Sequence, residues 1–205
     1  MNISMLCDHL CSELEPCITK IILHDEDQPA SELSLSFVLE CYDWERYSFE
    51  GYNSGLLAKR VFEITCTQYI ESSLNVGGFS DMQITDTHPL LFKYSLPHIA
   101  LYFSVKPNNP HEIVGRLYEA HKESYQEWRP FSDCIHENLI DVLCGGFGLL
   151  AQGPKVIMEA YKNSVSDLLK LRAVENDFSK KRQLLLMSYG YIICSNIFVN
   201  ELTCV

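Results

Sequence analysis

The feature that most constrains this chain is a change of hydrophobic period at Asn109-Pro110-His111-Glu112. Before this point apolar residues alternate every second position, and after it they recur every third or fourth. A two-residue period suits a strand with one buried face, and a period near 3.6 suits a helix lying on a core. The tetrad itself is a helix start: Asn109 at the N-cap, Pro110 at the first helical position and Glu112 in the capping position. From there Ile113, Val114, Leu117, Tyr118, Ala120, His121, Tyr125 and Trp128 form an apolar stripe, with Glu112, Arg116, Glu119, Lys122, Glu123 and Gln126 opposite.

Upstream, Leu33 to Trp44 alternates most clearly, with Leu33, Leu35, Phe37, Leu39 and Cys41 on one face and Ser34, Ser36, Glu40 and Tyr42 on the other. Cys17 to Leu23 and Lys59 to Ile70 read as strands, as do His88 to Tyr94 and His98 to Val105, with Phe79 to Thr85 as a short edge strand. Met1 to Leu14 predicts a short helix. Downstream, Pro130 ends the helix begun at Pro110 or opens the next connection. A second helix is expected from Asp133 to Cys144, ended by Gly145 or Gly146 in the left-handed conformation. A third is expected from Gly153-Pro154 to about Leu171, and Gln183 to Ser188 with Tyr191 to Val199 reads as a closing hairpin. The expected class is α+β: a largely antiparallel sheet of N-terminal strands plus a C-terminal hairpin, packed against about three central helices. A chain of 205 residues without repeats or low-complexity segments suits a single domain over 1–205.

Trp128 to Pro154 carries the densest punctuation. Gly145, Gly146, Gly148, Gly153 and Pro154 fall within ten positions. Gly146-Phe147-Gly148 offers the first glycines of a dinucleotide-binding turn, but the third is missing and a predicted helix precedes it instead of a strand. The stretch reads better as a tight helix–helix connection. Gly153-Pro154-Lys155 would place backbone N–H groups and a cation at a helix start, the way many anion sites begin, with Trp128 and Arg129 as further candidates to line a pocket.

Catalytic motifs are sparse. His136-Glu137 opens like a zinc-protease helix, but Ile140 stands where the second histidine belongs. There is no G-x-S-x-G elbow and no phosphate-binding P-loop. Cys7, His9, Cys11 and Cys17 lack metal-ligand spacing, and the acidic run from Asp25 to Asp27 lacks the alternation of a calcium loop. No metal or other cofactor is expected. Cys134 is the one candidate nucleophile. His136, two residues on, would point about 200° away on a helix, so a base would have to come from elsewhere, such as His98 or His121.

The formal net charge of −11 argues against a nucleic-acid partner, which needs a basic face. Nine cysteines, an odd number at irregular spacing, fit reduced thiols in the cytoplasm. No run is long and apolar enough for a membrane span. What remains is a protein-binding module. Asp43, Trp44, Glu45, Tyr47 and Glu50 interleave carboxylates with aromatic rings, a composition suited to receiving a basic protein partner. Small acidic immunity proteins that plug bacterial toxins offer an analogy of charge and size. The alternative is a small-ligand or anion-binding protein, or a cysteine-dependent enzyme, with its site near residues 145–155. On the first expectation, replacing Asp43, Glu45 and Glu50 together by lysine abolishes capture of a basic partner in a pull-down while the circular dichroism stays that of the parent.

Overall fold

The computed structural model describes residues 2–10, 14–24, 33–43, 59–176 and 180–202. The fold is α+β, and among the described residues every strand pairing is antiparallel. Among the described residues, no helix is long and apolar enough to cross a membrane. The chain divides into two compact units, one formed by residues 1–86 with 182–205 and the other by residues 87–181.

The first unit holds helix α1 (Ile3–His9) and strands β1 (Cys17–His24), β2 (Ser34–Tyr42), β3 (Lys59–Thr67), β4 (Glu71–Ser73), β5 (Gly77–Gly78) and β6 (Met82–Thr85). The chain returns to it with β10 (Gln183–Met187), β11 (Gly190–Cys194) and β12 (Asn196–Leu202). Two sheets result, in the orders β12-β3-β2-β1-β5 and β4-β11-β10-β6. The buried face expected of β2 forms, with Leu35, Phe37, Leu39 and Cys41 buried and β2 paired with β3, whose Phe62, Ile64 and Cys66 are buried too. Ser36, expected on the other face, is buried as well, its hydroxyl hydrogen-bonded with His24 and Thr65. Both sheets and α1 feed one hydrophobic cluster, which also takes in Leu6, Leu185, Met187, Ile192 and Cys194. Removing a ring such as Phe37 or Phe62 from water contributes roughly 1.5–3 kcal/mol.

β3 stops at Thr67, earlier than the expected Ile70, because the chain changes sheets there. Gln68 takes a positive φ of 49°. β3 pairs with β12 in one sheet, and their continuations β4 and β11 pair in the other. The Ile70 N–H donates to the Ile193 carbonyl and the Ser195 N–H to the Thr67 carbonyl, so the ladder runs around the corner without a break. Arg182 reaches both Gln68 and Ser195 at this bend.

The second unit begins with the largest departure from expectation. His88 to Tyr94 is not a strand but a 3-10 turn, Pro89–Leu91, running into the single-turn helix α2 (Phe92–Ser95). The cause is local: Nδ1 of His88 accepts from the Leu90 N–H, and Pro89 sits at the first helical position. The strand β7 (His98–Phe103) and helix α3 (Pro110–Tyr125) follow as the periodicities predict, and Oδ1 of Asn109 accepts from the Glu112 N–H.

The second and third expected helices are shorter than the sequence suggests. Phe131–Asp133 is a 3-10 turn, and only Leu139–Gly145 forms helix α4. The intervening backbone is drawn into a bridge between Ile135 and Ala151, with the Gln152 N–H donating to the Cys134 carbonyl. Gly146 supplies the left-handed cap with φ 89°. The glycine-rich stretch then becomes strand β8 (Gly148–Pro154), where a helix–helix connection was expected. Helix α5 spans Lys155–Ser164, and Leu171–Asn176 is a further strand, β9. The sheet order is β8-β7-β9, and its inner face, with Ile99, Leu101, Phe103 and Leu150, packs with Ile113, Leu117, Leu143, Ile157 and Tyr161 from the helices.

Two glycines give opposite expectations. A Cβ on Gly190 would lie 2.1 Å from the Ser73 carbonyl oxygen of the neighbouring strand, whereas one on Gly115, inside α3, would meet nothing within 4 Å. Gly190→Ala should destabilise by about 1–3 kcal/mol and speed amide hydrogen exchange in β4 and β11. Gly115→Ala should instead stabilise by up to about 1 kcal/mol, both read from urea denaturation.

Candidate functional site

The backbone bond between Gln152 and Cys134 fixes the 131–135 segment beside β8 and sets Cys134 against Gly153, where a Cβ would stand 3.2 Å from the cysteine Sγ. In front of this contact lies a cavity of ≈ 270 Å³, formed wholly within the second unit. Its floor is buried: Ile99, Tyr125, Cys134 and the backbone of Gly153 and Pro154. Its rim is polar, with Lys93 from α2, Asp133 from the 3-10 turn, Gln152 from β8, and His98 and Asn176 from the paired ends of β7 and β9.

The rim is only loosely tied together. Lys93 Nζ and Asp133 Oδ2 stand 3.9 Å apart, an ion pair longer than a charge-assisted hydrogen bond. Nε2 of His98 donates to the Lys93 carbonyl at 2.9 Å, since a carbonyl only accepts. Among the described residues, the side-chain amides of Gln152 and Asn176 make no hydrogen bond. Donors and acceptors with unused capacity therefore converge on one buried floor.

Behind that floor runs a buried polar chain. His121, only 2% exposed, places Nε2 2.8 Å from the Arg129 carbonyl and Nδ1 2.8 Å from the Tyr161 hydroxyl. The carbonyl requires a proton on Nε2, so in the neutral ring Nδ1 accepts from Tyr161. With its proton given to His121, the Tyr161 hydroxyl oxygen accepts from the Cys134 S–H. Burial pushes the Cys134 thiol up to about 11, and the adjacent Asp133 charge adds to this. The Lys93 charge, which favours the thiolate, does not offset those effects. Burial likewise raises the phenols of Tyr125 and Tyr161 above their ordinary range. At neutral pH the floor offers a thiol and a phenol as neutral hydrogen-bonding groups.

Several residues singled out from the sequence meet here and others do not. Cys134 and Gly153 line the cavity, with His98 at its edge and His121 two hydrogen bonds behind the sulfur. His136 turns its Nδ1 to the Asn138 N–H instead. Lys155 pairs with Glu175 at 2.9 Å, and its own N–H donates to the Pro97 carbonyl, so it does not join Gly153 in an anion site. Trp128 packs edge-on to His88 at 4.7 Å, and Arg129 lies over the Tyr94 ring at 5.6 Å. Of the acidic aromatic run, Asp43 is half-buried just after β2, while Trp44, Glu45, Tyr47 and Glu50 lie outside the described residues. Lys93, Asp133, Gln152, Asn176 and Tyr161 were not anticipated as site residues. Tyr161 falls within the third expected helix, where its hydroxyl had no visible partner in the sequence.

Among the described residues, no group of three or more His, Cys, Asp or Glu side chains is placed to hold a metal ion. No family model, curated protein or solved structure matches the chain.

Tyr161 connects the floor to the buried histidine. Tyr161→Phe should leave Nδ1 of His121 without its donor, destabilising by about 1–3 kcal/mol as read from urea denaturation. Site-resolved iodoacetamide labelling against pH reports on the buried thiol. In the parent, Cys134 lags the exposed Cys144 at neutral pH and gains reactivity only as pH approaches 11.

Proposed function

We propose that residues 87–181 bind a small polar ligand in the cavity between Lys93, Asp133, Gln152 and Asn176. The observation that carries this reading is the convergence, on one ≈ 270 Å³ cavity, of polar side chains with unused bonding groups over a buried floor. Small-molecule sites have this character: a concave, largely apolar surface with a few placed polar groups. The high thiol pKa of Cys134 favours binding over nucleophilic chemistry, because the thiolate is the reactive form. The free thiols among the described residues support a reducing, cytoplasmic setting.

A second reading, suggested by the net charge of −11, assigns the acidic aromatic run from Asp43 to Glu50 to a basic protein partner of the kind an immunity or inhibitor protein would engage. The two readings use different parts of the chain and can hold together.

The small-ligand reading is tested by occluding the cavity. Gln152 is exposed at the rim on β8, so Gln152→Trp fills the mouth from a surface position. Ligand-observed NMR against a library of small metabolites should give binders for the parent that are lost with Gln152→Trp at unchanged Tm. Binders that persist with the occluded variant would place binding elsewhere and remove the support for this site.

A further inference from the structure

We infer that the ligand of this cavity is a small zwitterion of the α-amino-acid class, its carboxylate on Lys93 and its ammonium on Asp133. The inference rests on the small-ligand reading above and narrows it to one chemistry.

Two unlike charges stand side by side at the rim, delivered by separate elements, the α2 turn and the 131–133 turn. At 3.9 Å, Lys93 Nζ and Asp133 Oδ2 attract each other without consuming each other's bonding groups; a charge-assisted hydrogen bond would close to about 2.7–2.9 Å. Among the described residues, the Asp133 carboxylate accepts no hydrogen bond. The ammonium has three N–H groups to give and the carboxylate about four lone pairs to fill.

Charge balance selects among ligands. An anion alone would gain Lys93 but face Asp133, and a cation alone would meet the reverse. A ligand carrying both charges on neighbouring atoms satisfies the two at once and leaves the rim neutral. The chain's net charge of −11 works further against anions. Phosphate esters are disfavoured, since their sites use several donors or cations and this rim has one lysine, already facing a carboxylate.

Size and lining agree with a single amino acid. The cavity of ≈ 270 Å³ equals roughly nine liquid-water volumes, room for on the order of ten non-hydrogen atoms. With the charged head at Lys93 and Asp133, the substituent faces Ile99, Tyr125 and the neutral Cys134 thiol, which favours an apolar or sulfur-bearing side chain.

The test compares leucine, methionine and phenylalanine with two derivatives of leucine, N-acetyl-leucine and leucine methyl ester, by isothermal titration on the whole chain. The zwitterions should bind, and each single-charge derivative should bind at least tenfold more weakly. Lys93→Met should weaken leucine to the level of the ester, and Asp133→Asn should weaken it to that of N-acetyl-leucine. Both side chains are partly exposed, so the variants should keep the parent Tm. Derivatives that bind as well as leucine, or variants that leave leucine binding unchanged, overturn the inference. If the amino acids fail to bind while metabolite binders sensitive to Gln152→Trp are found, the zwitterion assignment falls and the small-ligand reading stands. If neither amino acids nor such binders are found, both fall.

Discussion

One backbone hydrogen bond, from the Gln152 N–H to the Cys134 carbonyl, organises the second unit around its site. With the Ile135–Ala151 bridge it seats residues 131–135 along the outer edge of β8. An uncovered strand edge exposes unpaired N–H and C=O groups, and this segment meets some of them. The same docking sets the Cys134 sulfur against Gly153, where a Cβ would stand 3.2 Å from it, and brings Asp133 within reach of Lys93. Edge pairing, floor and rim thus follow from a single registration of chain against strand.

The polar chain behind the floor is bound by the same geometry. A buried histidine tolerates no idle ring nitrogen without a desolvation penalty, and His121 uses both, one on the Arg129 carbonyl and one on Tyr161. The carbonyl dictates the tautomer, the tautomer dictates the direction of the Tyr161 hydroxyl, and that hydroxyl meets the cysteine. Phe131 packs edge-on against both the His121 and Tyr161 rings, so the aromatic neighbours hold the chain in place. The groups behind the cavity floor therefore fix one another's orientation.

Elements with one dry face and one wet face were legible in the sequence. β2 and α3 show their periods plainly, and the cap at Asn109 forms as predicted. β9 was illegible because residues 172–176 are all exposed and only pairing with β7 defines the strand. β8 was hidden by its glycines and by burial at Ala151, Gly153 and Pro154 beside the exposed Gln152, which breaks simple alternation. At the site, Cys134 and Gly153 stood out as residue types. Lys93, Asp133 and Asn176 come from three separate elements, and no spacing in the chain relates them. The link from Cys134 to His121 was unreadable because Tyr161 looks like any other member of an apolar helix face.

The bent ladder of the first unit also has a temporal side. Strands β3 and β4 find their partners, β12 and β11, only after residues 87–181 have been traversed. A chain made as far as Lys181 has all of β7, β8 and β9, but its five-stranded sheet lacks one border, and β4 and β6 have no β11 and β10 between them. Contacts so distant in sequence are slow to form, because loop closure precedes any gain from burial. Strands that leave the ribosome after residues 87–181 are thus the ones that seal the cluster begun before them, and the inserted unit is complete in sequence before its host.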